Sequence, residues 1–407
     1  MMRNIFDFIE NSTALAVELE TELCKLPAIS PDSGGQGEID KAEFLEKWLK
    51  ERGIANIERF DAPDKKAKGG VRPNIIATIH GKSEKRLWII SHLDVVPPGE
   101  RRLWNSDPWT LVEKDGRLIG RGVEDNQQGL VSSCLAALAF VKNNVEPDLT
   151  VKLLFAADEE MGSRFGVLWL VKNKPDLLHA DDVALIPDGG DSKGQGIEIA
   201  EKNLLWLKFT ASGVQAHGSR PDQGVNAHLA GAYLLTSLYE RLSAKFNTRD
   251  SLFEPDYSTF QPTKKEANVP NVNTIPGTDV FYMDMRILPQ YPLKAVFDEI
   301  NVVKAEIETR FGVKIVYETC QQSESKATAA DAPFVKRLSA AVKEIYGVDT
   351  KPIGIGGGTV AAPLRNMGID AAVWARLDDT AHQPNEYTLV SNIIGDAKVI
   401  ARLMRSA

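Results

Sequence analysis

Apolar positions recur at helical spacing over 40–52 (DKAEFLEKWLKER), 127–142, 165–172, 226–242, 293–310, 332–346 and 390–404. Compact apolar or alternating runs at 74–80, 86–92, 150–156, 182–186, 204–210, 259–268, 279–287, 314–318 and 371–375 read instead as strands. Up to about residue 202, strands alternate with helices, which predicts an α/β layer on a largely parallel sheet. From about residue 203 the order becomes βαββαβ, the ferredoxin-like split motif, which makes a complete small domain. The last ninety or so residues return to the α/β grammar. The expected architecture is therefore α/β: a mostly parallel-sheet domain from 1–202 and 320–407, interrupted by an inserted ferredoxin-like α+β domain at 203–319.

Length alone, 407 residues, predicts two to three domains, and the element order reduces that to two. The 48 Lys and Arg against 56 Asp and Glu leave a net charge of −8, which argues against nucleic acid or an anionic membrane as the main partner. Three cysteines, Cys24, Cys134 and Cys320, lie far apart and in no CxxC pattern. That disfavours a disulfide framework or a thiolate zinc finger and implies a reducing, cytoplasmic setting. The longest charge-free apolar stretch, 129–141, is too short to span a bilayer and reads as a buried helix. The first twenty residues carry acidic side chains within their apolar pattern and lack a signal-peptide core.

Candidate chemistry gathers where strand-like runs finish: His92 and Asp94 after RLWIIS, Glu159 and Glu160 after LLFAAD, Asp188 after ALIP, and His382 after AVWARLDDTA. In open α/β sheets, ligands bind beyond the carboxyl ends of the strands. Asp125 falls immediately before a helix, a place that suits an N-cap as well as a ligand. Two imidazoles (His92, His382) and three carboxylates (Asp125, Glu160, Asp188) exceed what one catalytic zinc uses. Two metal ions sharing a bridging carboxylate use all five. Imidazole and carboxylate without thiolate suit Zn²⁺, with Co²⁺ or Mn²⁺ as alternatives. Such a pair lowers the pKa of a bridging water and polarises a carbonyl oxygen. Asp94, two residues from His92, is expected to share its face of the strand and orient the imidazole. Glu159 can take a proton from the activated water and pass it to a leaving amine.

The segments SHLDVVP (91–97), GRGVEDNQQG (120–129), AADEEMGS (156–163), PDGGD (187–191) and DTAHQPNEY (379–387), in that order, resemble the dinuclear metallopeptidases of family twenty. That family includes aminoacylase, glutamate carboxypeptidase, acetylornithine deacetylase and succinyl-diaminopimelate desuccinylase. The resemblance covers essentially the whole chain. It implies one metal on His92, Asp125 and Asp188, another on Asp125, Glu160 and His382, Glu159 as general base, and a lid and dimerisation role for the insertion. Within the insertion, GVQAHGSRPDQGVNA (213–227) resembles the segment whose histidine reaches the partner subunit's site. By that likeness His217 helps stabilise the tetrahedral oxyanion of a homodimer. Asn273 in NVNTIPG and Arg286 in MDMRILP match substrate-contacting positions, and the planar Arg fork suits a carboxylate.

The run GIGGGTV (354–360) is not a dinucleotide fingerprint, because Thr359 stands where G-x-G-x-x-G needs Gly or Ala. The resemblance makes Gly357, Gly358 and Thr359 a loop offering backbone amides to a substrate carboxylate. Many relatives continue this loop with Ser and Asp, whereas here Val360, Ala361 and Ala362 follow.

The implied activity is hydrolysis of the amide of an N-acyl amino acid by metal-activated water. A metallo-dipeptidase or exopeptidase is the nearest alternative. From other classes stand a two-metal phosphoesterase, for which the motifs supply few cations beyond Arg121 and Arg164, and a catalytically silent metal-binding protein.

Overall fold

The computed structural model describes residues 2–405. The chain divides into two compact units. The larger holds the residues up to Ile199, Thr328–Ile353 and those from Thr359 on; the smaller holds Ala200–Ala327 and Gly354–Gly358.

The larger unit is built on an eight-stranded sheet. Its order is Ile57–Pro63, Val71–Ile79, Leu149–Ala156, Ser83–His92, Val183–Gly190, Asp370–Ala375, Gly196–Glu201, Lys351–Ile355. The four central strands are parallel, and the pairs Ile57–Pro63 with Val71–Ile79 and Val71–Ile79 with Leu149–Ala156 are antiparallel. The α/β class with a parallel-centred sheet is as expected from the alternation. The central strands read as continuous apolar runs because helices cover both faces; in Ser83–His92 every residue from Leu87 to His92 is buried. Helix Gln128–Lys142 is buried from Gln128 through Phe140, which accounts for its lack of charge, and it packs against Val390–Met404 and the sheet.

Two helices, Met2–Glu10 and Thr13–Cys24, precede the first segment expected to be regular. They pack on Val390–Met404 and Gln128–Lys142, with Ile5, Ile9, Leu19 and Leu23 fully buried. No described helix is long and apolar enough to cross a membrane.

The smaller unit has the βαββαβ order, its main strands being Asn203–Ser212, Thr259–Lys265, Thr278–Ile287 and Lys314–Ser323. Thr278–Ile287 and Asn203–Ser212 lie at the centre of this four-stranded sheet, and every pairing is antiparallel. Helices Ala227–Lys245 and Leu293–Phe311 bury their apolar faces with one face of this sheet, around Phe209, Phe281, Leu234 and Ile300. The first helix is capped by Asn226, whose side chain accepts the Leu229 amide. Residues 320–327 and Gly354–Gly358, expected in the larger domain, group instead with the smaller unit. The Gly354 amide donates to Leu252, the Lys202 amide donates to Ile355, and Arg286 donates to the Gly356 carbonyl.

Candidate metal centre

Each parallel strand delivers one part of a cluster at its carboxyl end. Ser83–His92 ends on His92, Leu149–Ala156 runs into the turn carrying Glu159 and Glu160, Val183–Gly190 contains Asp188, and Asp370–Ala375 leads to His382. This is the crevice where open parallel sheets place ligands.

Asp125 arrives from the turn before helix Gln128–Lys142. Its backbone angles (φ −115°, ψ 95°) are non-helical, and no side chain caps this helix, so the N-cap alternative does not apply. Gly122 enters the turn at φ +87°, a conformation glycine adopts without steric cost. Gly129 lets the helix start approach the next strand, since a Cβ there would lie 2.4 Å from the Pro187 carbonyl oxygen. The Asp125–Asn126 peptide is cis. Asn126 then donates from Nδ2 to Pro187 O (2.7 Å) and Asp188 Oδ1 (2.6 Å).

The two oxygens of Asp125 face two different imidazoles. His92 Nε2 lies 2.9 Å from Oδ1, and His382 Nε2 lies 3.1 Å from Oδ2. His92 is also 3.7 Å from Asp188 Oδ1, and His382 is 3.0 Å from Glu160 Oε2. Candidate donor atoms of His92, Asp125 and Glu160, and of His92, Glu159 and Asp188, lie within 4.8 Å of one another. The structure therefore brings together all five candidate ligands and Glu159. The side chain of Glu159 makes no hydrogen bond or ion pair among the described residues.

Asp94 meets the imidazole mainly through its backbone. The chain leaves the strand at His92, so the imidazole Nδ1 donates to the Asp94 backbone carbonyl (2.9 Å) and stands 3.5 Å from the carboxylate. The carboxylate accepts the amides of Glu159 (2.9 Å) and Glu160 (3.1 Å) and so holds the turn that presents both. Trp104 packs its own loop: it is buried, donates to Pro98 O (2.8 Å) and lies under Arg121.

Electrostatics favour a cation here. Burial, then the charge of Asp188, pushes the Glu159 carboxyl well above the ordinary range. Burial also raises Glu160 and Asp188. For Asp125 burial acts upward too, but hydrogen bonds from His382 and His92 outweigh it and hold the group low. Hydrogen bonds to Asp125 and Glu160 lift His382 to about 10. Among the described residues, these carboxylates have two imidazoles as their cationic partners, and Glu160 Oε1 is buried without any donor. Such an acceptor-rich cluster fits divalent cations, which replace the imidazole protons on binding.

In the smaller unit, His217 is exposed on a two-stranded ribbon opposite Thr274, and its Nδ1 meets Ser219 Oγ at 2.8 Å. The Asn273 carbonyl accepts the Gly218 amide (2.7 Å), so these two predicted residues are neighbours. Arg286 forks onto Asp284 (2.6 and 3.0 Å) and donates to Gly356 O (2.8 Å), beside the half-buried Gly357 and exposed Gly358. The Thr359 hydroxyl, in the larger unit, accepts the Ala361 amide at 3.1 Å.

A cluster of imidazoles and carboxylates at the carboxyl edge of an α/β sheet defines a candidate divalent-metal site, and the family match that follows makes the protein a hydrolase acting on amide bonds. Residues 88–406 match the Peptidase family M20/M25/M40, and the chain belongs to that family. An "uncharacterized metallohydrolase" of Methanocaldococcus jannaschii is 39% identical over 404 residues, covering 96% of this chain and 98% of that protein. The succinyl-diaminopimelate desuccinylase of Paracoccus denitrificans is 26% identical over 391 residues, covering 95% of this chain and 97% of that protein. In fold, the chain is similar to the M20 family metallo-carboxypeptidase Sso-CP2 from Sulfolobus solfataricus, with a TM-score of 0.74 at 19% identity over 96% of this chain and 98% of that one.

Proposed function

We propose that the protein is a dinuclear amidohydrolase that removes the acyl group from an N-acyl amino acid, such as an N-succinyl or N-acetyl diamino acid. The observation that carries the metal reading is Asp125, whose two oxygens face His92 and His382 separately, as a carboxylate shared by two ions would. His92, Asp125 and Asp188 would hold one ion, and Asp125, Glu160 and His382 the other, with Zn²⁺ favoured by the nitrogen and oxygen donors. Bound divalent ions supply an activated water and a Lewis acid for the scissile carbonyl.

The chain's own residues do the rest. Glu159, whose side chain has no hydrogen-bond partner among the described residues, takes a proton and returns it to the departing amine nitrogen. Asp94 holds Glu159 and Glu160 through their amides. The smaller unit acts as lid and dimerisation domain, His217 donates to the oxyanion in the partner's site, and Asn273, Arg286, Gly357, Gly358 and Thr359 bind the substrate carboxylate. The free cysteines, of which Cys320 is exposed, accord with work in a reducing cytoplasm.

Removing the metals with a chelator is expected to abolish hydrolysis. Restoring Zn²⁺ at about 1,000 times its Kd should add about 4 kcal/mol of stability for each ion bound. Unchanged melting and turnover after verified metal removal would refute the assignment.

The desuccinylase relative supports an acylated amino acid, while the fold shared with a carboxypeptidase supports the second reading, a dipeptidase or exopeptidase acting on a free carboxy-terminus. A panel of N-succinyl and N-acetyl amino acids and dipeptides on metal-replete enzyme separates them. The deacylase reading predicts the larger kcat/KM for an acylated amino acid, and preference for dipeptides overturns it. A phosphoesterase is disfavoured by its cations: Arg121 is committed to Glu386 (2.6 Å) and Arg164 to Asp32 (2.9 Å).

A further inference from the structure

Two buried carboxylates that lie outside the candidate ligand set tie together the loops carrying Asp125 and His382. Glu386, four residues after His382, reaches into the turn of Asp125. Its Oε1 accepts the amides of Glu124 (3.0 Å) and Asp125 (3.1 Å), and its Oε2 accepts the Gly122 amide (2.9 Å) and Arg121 Nη1 (2.6 Å). Glu124, the neighbour of Asp125, reaches the other way. Its Oε1 accepts the Asp378 amide (2.7 Å), and its Oε2 accepts the Thr380 amide and the Thr380 hydroxyl (2.9 Å). Each loop is thus held by a carboxylate from the other.

The loop so held is not one the chain adopts easily. Asp379, His382 and Asn385 are all left-handed, at φ 61°, 62° and 61°; Asp, His and Asn tolerate that region better than other non-glycine residues but still occupy it in a minority of cases, so the bonds from Glu124 and Glu386 help to select this path. The Glu124 bonds fix it two to four residues before His382, and Glu386 holds it at the far end. Both carboxylates are almost wholly buried, so their acceptor capacity is spent on this joint.

We propose that Glu124 and Glu386 are positioning residues that set the affinities of the two metal positions separately. Glu124 acts through His382 on one position, and Glu386 acts through the shared Asp125 on both. This rests on the reading of Asp125 and His382 as metal ligands. Partners that orient ligands in this way typically change affinity by about 10–100-fold when removed.

The test is calorimetric titration of the apo-protein with Zn²⁺, repeated with Co²⁺ so that the ligand-field spectrum reports each position. Glu124→Gln should leave one position at wild-type affinity and weaken the other by about 10–100-fold. Glu386→Gln should weaken both, because a single amide oxygen cannot serve all four donors. Thr380→Val, which removes the hydroxyl bond to Glu124 together with the hydroxyl's contacts to the Tyr387 carbonyl and amide in the same loop, should reproduce the one-position loss and covers the case in which Glu124→Gln does not fold. Wild-type titration to fewer than two ions overturns the metal reading and this inference with it. Two wild-type positions with unaltered or uniformly shifted affinities in Glu124→Gln and Thr380→Val overturn the clasp alone.

Discussion

Replacing Glu159 with Gln is expected to lower turnover by about 10²–10⁴-fold, the usual contribution of a positioned general base, while both metal ions stay bound. The expectation follows from three features of one residue. Its amide is held by the Asp94 carboxylate, its side chain lies near His92 and Asp188, and burial raises its carboxyl well above the ordinary range. Near-normal turnover with full metal content would remove Glu159 from the chemistry. Loss of metal in the same variant would make it a ligand instead, which its place beside His92 and Asp188 also permits. A second variant, Glu159→Ala, tests the partner-site role when its subunits are mixed with His217→Ala subunits. If His217 serves the partner's site, exchange regenerates sites with both residues intact, and mixtures without recovered activity count against that role.

Arg72→Met is expected to cost about 3–5 kcal/mol of folding stability, the price of stranding buried charge. Arg72 is 1% exposed and faces two wholly buried carboxylates. It pairs with both oxygens of Glu38 and lies 3.2 Å from Asp158. Asp158 immediately precedes Glu159 and is itself left-handed at φ 63°, so the arginine also steadies the turn that bears the proposed base. The pH dependence has a definite sign. Burial pushes Glu38 up to about 7, against the pull of Arg72, and raises Asp158 as well. A carboxyl whose folded pKa exceeds its unfolded value contributes most stability below the unfolded pKa and loses that contribution as pH rises through the folded one. Without Arg72 these pKa values climb further. Urea unfolding should therefore show a small deficit near pH 5 and a larger one at pH 8, and a deficit independent of pH would contradict the buried-charge account.

Much of the site was legible in the chain. His92, Asp188 and the Glu159–Glu160 pair follow or end apolar strand runs, and a parallel sheet sends all such ends to one edge. Glu124, Glu386 and Arg72 went unassigned, although the first two lie inside GRGVEDNQQG and DTAHQPNEY. A lone acidic residue in a loop usually faces water, and only burial beside several amide donors distinguishes one that does not. The first N-terminal helix keeps regular apolar spacing at Met2, Ile5, Phe6 and Ile9 and was legible in principle, whereas the second carries an acidic residue, Glu20, on its buried face, which blurs its apolar pattern.

By itself, the sequence determined the type of most long elements, because side-chain periodicity depends only on the backbone repeat, but not the two N-terminal helices or the sheet strands Ile57–Pro63, Gly196–Glu201 and Lys351–Ile355. It also determined the kinds of donor available, two imidazoles among carboxylates with no thiolate. Only the tertiary structure decided which donors meet. Strand Ser83–His92 lies between Leu149–Ala156 and Val183–Gly190, and Asp370–Ala375 adds beside the latter, an order no local pattern encodes. It also decided what Asp94 does, since the turn after His92 gives the imidazole a backbone carbonyl and frees the carboxylate to bind two amides. Hydrogen bonds of that kind depend on distance in space, which the sheet sets and the spacing along the chain does not.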